Sequence, residues 1–376
     1  MSLPRLGIAG VHGHGRSHVD AALALQRAGA VELVAVADPR GGGDVPDGTT
    51  VFADAEAMLA GIPLDVAVLS TPIPTHADLT LRALDAGAHV LLEKPPVVSG
   101  EEHRRVVQGA MDAGRGVQVG FQSLGSDGID AARDLVASGA IGDLVHIGAV
   151  GQWSRSEEYW RRAPWAGHRV RAGRLVADGA ATNPLAHALA TALAIAGAAA
   201  LDDVVAVDLD MYRANDIATD DTSSMLLTLA SGTVVAAGLA VTAARRHEPY
   251  VLLRGTRGHA LYWYTLDVLS LHPSGAHLPR TWVFPRAGLL ADLVDYARTG
   301  SPLRVPLDAT GAFTRVLESI VAAPAPASIG AAHIEVRRGG DESFRVVRGV
   351  EEWTERVAWE ARTFAQLGAP WAAPAG

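Results

Sequence analysis

Hydrophobic and polar residues follow two different rhythms along this chain, and the rhythm changes near residue 123. In the first part, short apolar runs such as Leu6–Ala9, Asp65–Ser70 and His89–Leu92 alternate with stretches of helical spacing such as His76–Ala86. Strands that alternate with helices are typical of a parallel, doubly wound sheet. We therefore predict an α/β domain of this type over residues 1–122.

The second part is rich in strand-like runs and has helices interspersed. A Ser231-Gly232 turn between two of these runs indicates a hairpin. We predict a C-terminal α+β domain over residues 123–376, built on a large, mostly antiparallel open sheet. The predicted strands are Val145–Trp153, Val204–Tyr212, Ser223–Leu229, Val234–Thr242 and Tyr250–Arg254, and the predicted helices are Leu289–Arg298, Ala309–Ala322 and Glu351–Leu367.

Composition narrows the possible partners. The net charge is -9 with no basic run, which argues against binding to nucleic acid or to an anionic membrane. The most apolar stretch, Leu185–Leu201, is rich in alanine and a little short for a membrane span, so we interpret it as a buried helix. With no signal peptide pattern at the N-terminus, we expect a cytoplasmic protein. Cysteine is absent, which excludes disulfides, thiol catalysis and Cys-ligated metal.

A glycine-rich turn follows the first predicted strand and opens a helix. It reads Gly10-Val-His12-Gly13-His14-Gly15, and Asp38 ends the next strand 23 positions after Gly15. This context is typical of a dinucleotide fingerprint, in which the helix N-terminus holds the pyrophosphate and the acidic residue accepts hydrogen bonds from the ribose. His12 replaces the usual middle glycine, and we expect Gly13 to restore the close approach of the backbone.

Two choices remain open at this turn. Asp38 would repel a 2′-phosphate, so we predict NAD, but Arg40 lies two residues later and keeps NADP possible. His12, His14 and His18 would also suit a barrel metallohydrolase, which needs further ligands at the ends of later strands. No well-placed further ligand is evident, so we predict that there is no metal site.

Lys94 is the only lysine among the 32 lysine and arginine residues of the chain. Because arginine replaces lysine everywhere else, this position is a candidate for a task that a planar guanidinium cannot perform. Lys94 follows a predicted strand of the doubly wound sheet, where the carboxyl end faces the ligand crevice. An ammonium group there can stabilise charge that develops on a substrate oxygen.

The surrounding motifs resemble those of the Gfo/Idh/MocA oxidoreductases. Thr71-Pro72 followed by His76, then Ala86-Gly87-x-His89-Val90, then Glu93-Lys94-Pro95 match that family's order and spacing across residues 6–122. The resemblance implies a Rossmann domain, a nicotinamide cofactor, a sugar or polyol substrate and a cis Lys94–Pro95 bond. It also implies which residues contact the cofactor: Gly10, His12, Gly13, His14, Gly15, Asp38, Arg40, Ser70, Thr71, Pro72, His76, Glu93, Lys94 and Gln122.

Family members carry an aspartate four residues before a histidine in the second domain, and this histidine accepts the substrate proton. Here the counterparts are Asn183 and His187, with Asp178 five residues upstream of Asn183. We predict that Asn183 caps a helix and that Pro184 is its first residue, which places His187 near the positive end of the helix dipole and keeps it neutral. The predicted catalytic residues are thus Lys94, His187, Asn183 and Asp178.

Gln122 and Trp165 are the remaining substrate-side candidates, together with Lys94, Asn183 and His187. The predicted function is hydride transfer between a sugar or polyol carbinol and nicotinamide. Three alternatives stay open: a non-catalytic NAD-binding sensor, an NAD-assisted elimination or glycoside-cleaving enzyme, and, remotely, the metallohydrolase. By resemblance we also expect a homodimer or homotetramer formed through the C-terminal sheet, because an open sheet face should not stay exposed.

Overall fold

A computed structural model describes residues 3–372, which form two compact units. The first contains the described residues up to Gly125 together with Ala287–Thr314. The second contains Ser126–Arg286 and the described residues from Arg315 onward. The predicted division at residue 122 assigned the whole of 287–314 to the second domain, whereas the structure packs this segment with the first unit.

The first unit is built on a six-stranded parallel sheet, as the alternating pattern predicts. Its order, β3-β2-β1-β4-β5-β6, reverses direction between β1 and β4, and such a reversal creates a ligand crevice beyond the strand ends. Except for the edge strand β3, the strands are buried along most of their length, as expected for a sheet covered on both faces. They are β1 (Arg5–Ala9), β2 (Glu32–Ala37), β3 (Thr50–Phe52), β4 (Val66–Leu69), β5 (His89–Leu92) and β6 (Val117–Val119).

Helices flank this sheet. Helix α1 contacts α7, while α3 contacts α2 and α4, and right-handed crossovers place α1 on the face opposite α3. Asp54 and Ser99 cap α2 and α4 by accepting hydrogen bonds from first-turn N–H groups. The helices are α1 (Gly15–Arg27), α2 (Ala55–Gly61), α3 (His76–Asp85), α4 (Gly100–Ala113) and α7 (Leu289–Thr299), with α5 and α6 described below.

The segment 287–314 is attached to the first unit by a buried glutamine. Gln118 in β6 donates to the Leu289 carbonyl and, at 2.6 Å, to Asp292, while its own carbonyl accepts the Val305 N–H at 2.9 Å. Its side chain is fully buried, so each of these bonds replaces one that water would otherwise make. This network explains why a segment distant in sequence belongs to the first unit.

The second unit contains a nine-stranded mixed, mostly antiparallel sheet in the order β16-β15-β14-β13-β7-β12-β11-β10-β17. Only β7–β12 and β10–β17 pair in parallel. Two small hairpins, β8–β9 and β18–β19, lie outside it. The strands are β7 (Leu144–Gln152), β8 (Val170–Arg171), β9 (Arg174–Leu175), β10 (Val204–Arg213), β11 (Thr222–Leu229), β12 (Val234–Ala240), β13 (Tyr250–Gly255), β14 (Gly258–Trp263), β15 (Val268–Pro273), β16 (Arg280–Val283), β17 (Ala327–Ser328), β18 (Ile334–Gly339) and β19 (Glu342–Val347).

Helices cover both faces at the centre of this sheet, so neither face is left bare there. A Cβ at Gly151 would meet Leu185, which directly precedes α6, whereas one at Gly148 would meet Ala358 of α9. Exposed apolar side chains of this sheet include Val145 at the start of β7, Val205 on β10, and Trp282 and Val283 on the edge strand β16. The helices are α5 (Gly128–Ala137), α6 (Ala186–Ile195), α8 (Gly311–Ala322), α9 (Val350–Glu360) and α10 (Phe364–Leu367).

Two predicted helices differ from the observed ones. The single helix predicted over Glu351–Leu367 is two helices, because Ala361 adopts a left-handed conformation and Thr363 starts α10 with a capping box. The Ala-rich stretch forms only the ten-residue α6, which is buried almost all round. Among residues 3–372, no helix combines the length and the apolar character that a membrane span requires.

The contact between α9 and the sheet depends on small residues. A Cβ added at Gly238 in β12 would lie 2.3 Å from the Thr354 carbonyl oxygen, so Gly238→Ala must push α9 away from the sheet. We expect this substitution to destabilise the protein by about 1–3 kcal/mol, the usual cost of overpacking a core. Urea unfolding followed by tryptophan fluorescence measures it.

Gly330→Ala is the matched control, because the nearest atom to a Cβ there is 3.9 Å away and its backbone suits any residue. We expect its unfolding midpoint to match that of the wild type. Equal midpoints for the Gly238 variant and the wild type would contradict this account of the helix–sheet contact.

Candidate active site

The predicted cofactor residues of the first unit collect at one edge of its sheet. Gly10, Asp38, Ser70 and Glu93 directly follow β1, β2, β4 and β5, and Gln122 follows β6 by three residues. Because these strands are parallel neighbours, their carboxyl ends lie side by side. The structure therefore brings together residues that lie more than 100 positions apart in the sequence.

Two glycines of the glycine-rich turn lie too close to backbone atoms to carry a Cβ, and a third has free space around it. A Cβ at Gly10 would lie 2.2 Å from the Ser70 carbonyl oxygen, and one at Gly15 would lie 1.9 Å from the Gly10 carbonyl oxygen. Gly13 has φ +61 and is exposed, and no atom lies within 4 Å of its would-be Cβ. This open backbone fits the approach of a pyrophosphate at the start of α1, although His12 occupies the usual middle-glycine position.

Asp38 is buried and accepts hydrogen bonds from several groups. Donors to its carboxylate include the Val11 N–H at 3.2 Å and the Arg40 N–H and guanidinium at 3.0 and 3.1 Å, and His12 Nδ1 lies 3.1 Å away. Burial acts to raise the pKa of Asp38, but the hydrogen bonds from Arg40 and Val11, together with the nearby His12 ring, outweigh it and hold this pKa well below its usual range. Asp38 is thus an ionised acceptor at the end of β2, and Arg40 is held against it.

A buried carboxylate, Glu93, joins the turn to the neighbouring strand. Its Oε1 lies 2.8 Å from His18 Nε2 and 3.3 Å from His14 Nε2, and it also accepts from Gln122 Nε2 at 3.2 Å. Burial opposes ionisation, but the bonds to His14 and His18 hold the pKa of Glu93 well below its usual value. The hydrogen bond to Glu93 in turn raises the pKa of His14.

Lys94 is half-buried at the end of β5, and its peptide bond to Pro95 is cis, as the resemblance implies. His76 is buried between the two loops that carry the family motifs. Its Nε2 lies 2.8 Å from the Thr71 carbonyl oxygen and its Nδ1 lies 3.0 Å from that of Pro95. Burial lowers the pKa of His76, although the bonds to the Thr71 and Pro95 carbonyl groups act in the opposite direction. The ring joins the Thr71 loop to the Lys94 segment.

In the second unit, Asp178 is the centre of the predicted constellation. Its side chain is fully buried and accepts from Arg162 at 2.8 and 2.9 Å, from the Gly167 N–H at 2.9 Å and from Asn183 Nδ2 at 2.5 Å. Burial raises the pKa of Asp178, although Arg162 and Asn183 act in the opposite direction. Asp178 is therefore not a solvated loop residue, and it places a carboxylate directly beside Asn183.

The helix that carries His187 begins later than predicted. Helix α6 starts at Ala186 with Leu185 before it, so Pro184 is not its first residue and Asn183 does not cap it. Asn183 lies instead in the preceding turn, where its amide donates to Asp178. His187 is the second helical residue, half-buried, and still lies in the first turn, where the helix dipole disfavours a cation.

Sequence reasoning missed Arg162 in the aromatic loop before α6. Its guanidinium carbon lies 3.9 Å from the ring centroid of Tyr159 and 4.7 Å from that of Trp165, a cation–π arrangement, while it also pairs with Asp178. Arg161, the adjacent arginine, is exposed and faces Glu158. The helical spacing of Tyr159 and Arg162 is the only sequence signal that could have distinguished these two arginines.

The metallohydrolase alternative is wrong, because it requires a closed barrel. The first unit has an open six-stranded sheet with β3 and β6 at its edges. His12 also lies against Asp38 rather than with His14 and His18.

Two family profiles match the chain in succession. The oxidoreductase family with an NAD-binding Rossmann fold matches residues 5–121, and the Gfo/Idh/MocA C-terminal domain matches residues 129–261. Together they span more than half of the chain. The chain belongs to the Gfo/Idh/MocA family, and its first unit is an NAD-binding Rossmann domain.

Curated relatives match over shorter stretches. Inositol 2-dehydrogenase of Rubrobacter xylanophilus is 37% identical over 145 residues, which are 37% of this chain and 41% of that protein. D-glucoside 3-dehydrogenase of Escherichia coli is 31% identical over 119 residues, which are 30% of this chain and 34% of that protein. The chain thus spans less than half of the length of these relatives.

Among solved structures, a similar one is the WlbA dehydrogenase from Bordetella pertussis, crystallised in complex with NADH and UDP-GlcNAcA. It has a TM-score of 0.68 at 20% identity and covers 85% of this chain and 95% of that one. At this identity the likeness shows the shared fold.

The contacts of Asp38 predict its effect on cofactor choice. Asp38→Ala removes the predicted acceptor for the ribose hydroxyls and releases Arg40, which can then pair with a 2′-phosphate. We expect NADH to bind less tightly while NADPH binds equally or more tightly, as measured by fluorescence titration of both nucleotides.

Asp44→Ala is the control, since it removes the same charge from an exposed side chain in the same unit. Unchanged NADH affinity in Asp38→Ala would overturn the ribose assignment.

Proposed function

We propose that this protein is an NAD-dependent dehydrogenase that transfers hydride between a carbinol carbon of a sugar or polyol and nicotinamide. The observation that carries the proposal is the carboxyl edge of the first sheet. There an ionised carboxylate, an open glycine turn and the sole lysine lie after β2, β1 and β5 of one parallel sheet. The names of the matched relatives, which act on inositol and on glucosides, support the substrate class. When bound, NAD supplies the hydride acceptor.

Lys94 is the proposed oxyanion stabiliser. Lys94 comes just after the carboxyl end of β5, where the crevice of a doubly wound sheet holds its ligand. A compact ammonium with three donors can bond a substrate oxygen and a ribose hydroxyl at the same time. Glu93 fixes the backbone here, because its Oε2 accepts the Lys94 N–H at 3.0 Å.

His187 is the proposed acceptor of the hydroxyl proton, by analogy with the histidine of the family motif. Its place in the first turn of α6 favours the neutral imidazole that this role requires. Asn183 and Asp178 act as positioning residues in this proposal, because their 2.5 Å hydrogen bond holds the turn that leads into the helix. A carboxylate thereby lies beside the position at which the family motif has aspartate.

Gln122 and Trp165 are proposed to contact the substrate. Gln122 is half-buried after β6 and bonds Glu93, and the Trp165 ring is held against Arg162. Aromatic faces and amide groups suit the apolar face and the hydroxyls of a sugar ring.

Lys94→Arg tests the mechanism, because it keeps the charge and changes the shape of the donor. We expect hydride transfer to slow by roughly 10²–10³-fold, the usual cost of losing a donor to developing charge, while NAD affinity and melting temperature change little. Single-turnover absorbance of NADH with a panel of myo-inositol, a methyl glucoside and a UDP-sugar measures the rate.

Arg104→Lys is the control, a matched exchange of cations on the exposed surface of α4. Equal rates for Lys94→Arg and the wild type would refute the proposed role of Lys94. NADH binding without turnover of any panel member would refute the dehydrogenase and favour the sensor.

We further propose that the chain forms a homodimer or homotetramer through its large sheet. Trp282 and Val283 on the edge strand β16 are 40% and 73% exposed, and an apolar edge strand favours pairing with another chain. Light scattering at micromolar concentration is expected to give a multiple of 39.1 kDa. Val283→Lys should shift the mass toward the monomer, and a wild-type monomer would contradict the proposal.

A further inference from the structure

One cluster of side chains has the composition of a metal site. His14 Nε2, His18 Nε2 and a Glu93 carboxylate oxygen all lie within 4.8 Å of one another. The two histidines come from the start of α1 and the glutamate from the end of β5. The two histidines are close together in the sequence, whereas Glu93 comes near them only because β1 and β5 belong to the same parallel sheet.

The spacing of the histidines suits coordination from one side of a helix. His14 has helical dihedral angles immediately before α1, so His14 and His18 are related as i and i+4 and face the same direction. Two histidines at this spacing, completed by a carboxylate from another element, form the three-residue set of many zinc sites. Such a set leaves a further coordination position open.

The distances are close to those of a bound ion. Zinc bonds of 2.0–2.2 Å in tetrahedral geometry separate neighbouring ligand atoms by about 3.4 Å. The His14–Glu93 distance is 3.3 Å, and the His18–Glu93 distance of 2.8 Å needs to widen by only about half an ångström. His14 is 58% exposed, which provides an entry path from solvent.

The buried charge of Glu93 favours a cation. Glu93 is 5% exposed, and a buried carboxylate requires a positive partner or a metal. Its Oε2 is held by the Lys94 N–H, which orients Oε1 toward the two imidazoles, as partners beyond the direct ligands do in metal sites. A Cβ at Gly120 would lie 2.7 Å from Glu93 Oε1, so the glycine makes room for this carboxylate.

We propose that His14, His18 and Glu93 form a binding site for a divalent transition-metal ion, with Zn²⁺ the best match to two imidazoles and one carboxylate. The positive end of α1 opposes a cation here, so the charge of Glu93 is essential to the site. The site lies in the first unit alone. It shares His14 and Glu93 with the predicted cofactor contacts, but metal binding itself does not require the proposed dehydrogenase activity.

Cobalt is the probe, because its visible absorption reports the ligands directly. Untagged full-length protein, freed of nucleotide, is titrated with Co²⁺, and Zn²⁺ is then added to displace it. We expect one Co²⁺ per chain with visible bands, weakened by about 100-fold or more in His14→Ala, since loss of a direct ligand costs at least as much as loss of an outer partner. Glu93→Gln should have the same effect.

His14→Cys makes the test specific, because the chain has no cysteine of its own. A thiolate ligand introduces an intense sulfur-to-cobalt charge-transfer band, and that band can arise only at position 14. The control is His277→Ala, which removes an exposed histidine outside the cluster and should leave cobalt affinity unchanged.

Two results would overturn the proposal: no cobalt absorption in the wild type, or equal affinity in a folded His14→Ala protein. Either of them would reduce the cluster to a hydrogen-bond network around Glu93. Melting temperatures of all variants establish that each is folded. None of these readouts involves hydride transfer, so failure of the metal site and failure of the proposed dehydrogenase are distinguishable.

Discussion

The buried, ionised carboxylate of Glu93 is the constraint on which the first unit's site depends. A charge removed from water must be compensated by hydrogen bonds or by opposite charge. His14 and His18 from the helix after β1, Gln122 from beyond β6, and the Lys94 N–H converge on it. These hydrogen bonds to the Glu93 carboxylate fix the positions of the glycine turn, the start of α1 and Lys94 relative to each other.

A buried carboxylate also organises the second unit, but its partners there are an arginine and an amide instead of histidines. Asp178 is fully buried and is satisfied by Arg162, Asn183 and the Gly167 N–H. Arg162 is also held by two aromatic rings, so the loop before α6 is tied to the turn that leads into that helix. In each unit, a buried carboxylate holds the candidate residues in place, and the apolar core stabilises the surrounding fold.

The two departures from the family motif have local compensation. His12 occupies the middle position of the glycine turn, but its ring lies beside Asp38 and the adjacent Gly13 keeps the backbone open. Asn183 replaces an aspartate, and Asp178 restores a carboxylate 2.5 Å from its amide. In each case a nearby residue, Gly13 or Asp178, supplies the feature that the family motif has at this point.

The sequence alone determined the features that depend on local pattern. It predicted the alternation of strands and helices, the turn at Gly10–Gly15, the acidic end of β2 and the importance of the sole lysine, Lys94. These features were predictable because periodicity and turn chemistry act over a few residues. Tertiary structure decided what depends on distant partners. Gln118 bonds the segment 287–314 to the first unit, Asp178 accepts a hydrogen bond from the Asn183 amide in the turn before α6, and Glu93 joins His14 and His18. Each involves a buried polar group whose partner is chosen by the packing of the whole chain, and no local pattern encodes that choice.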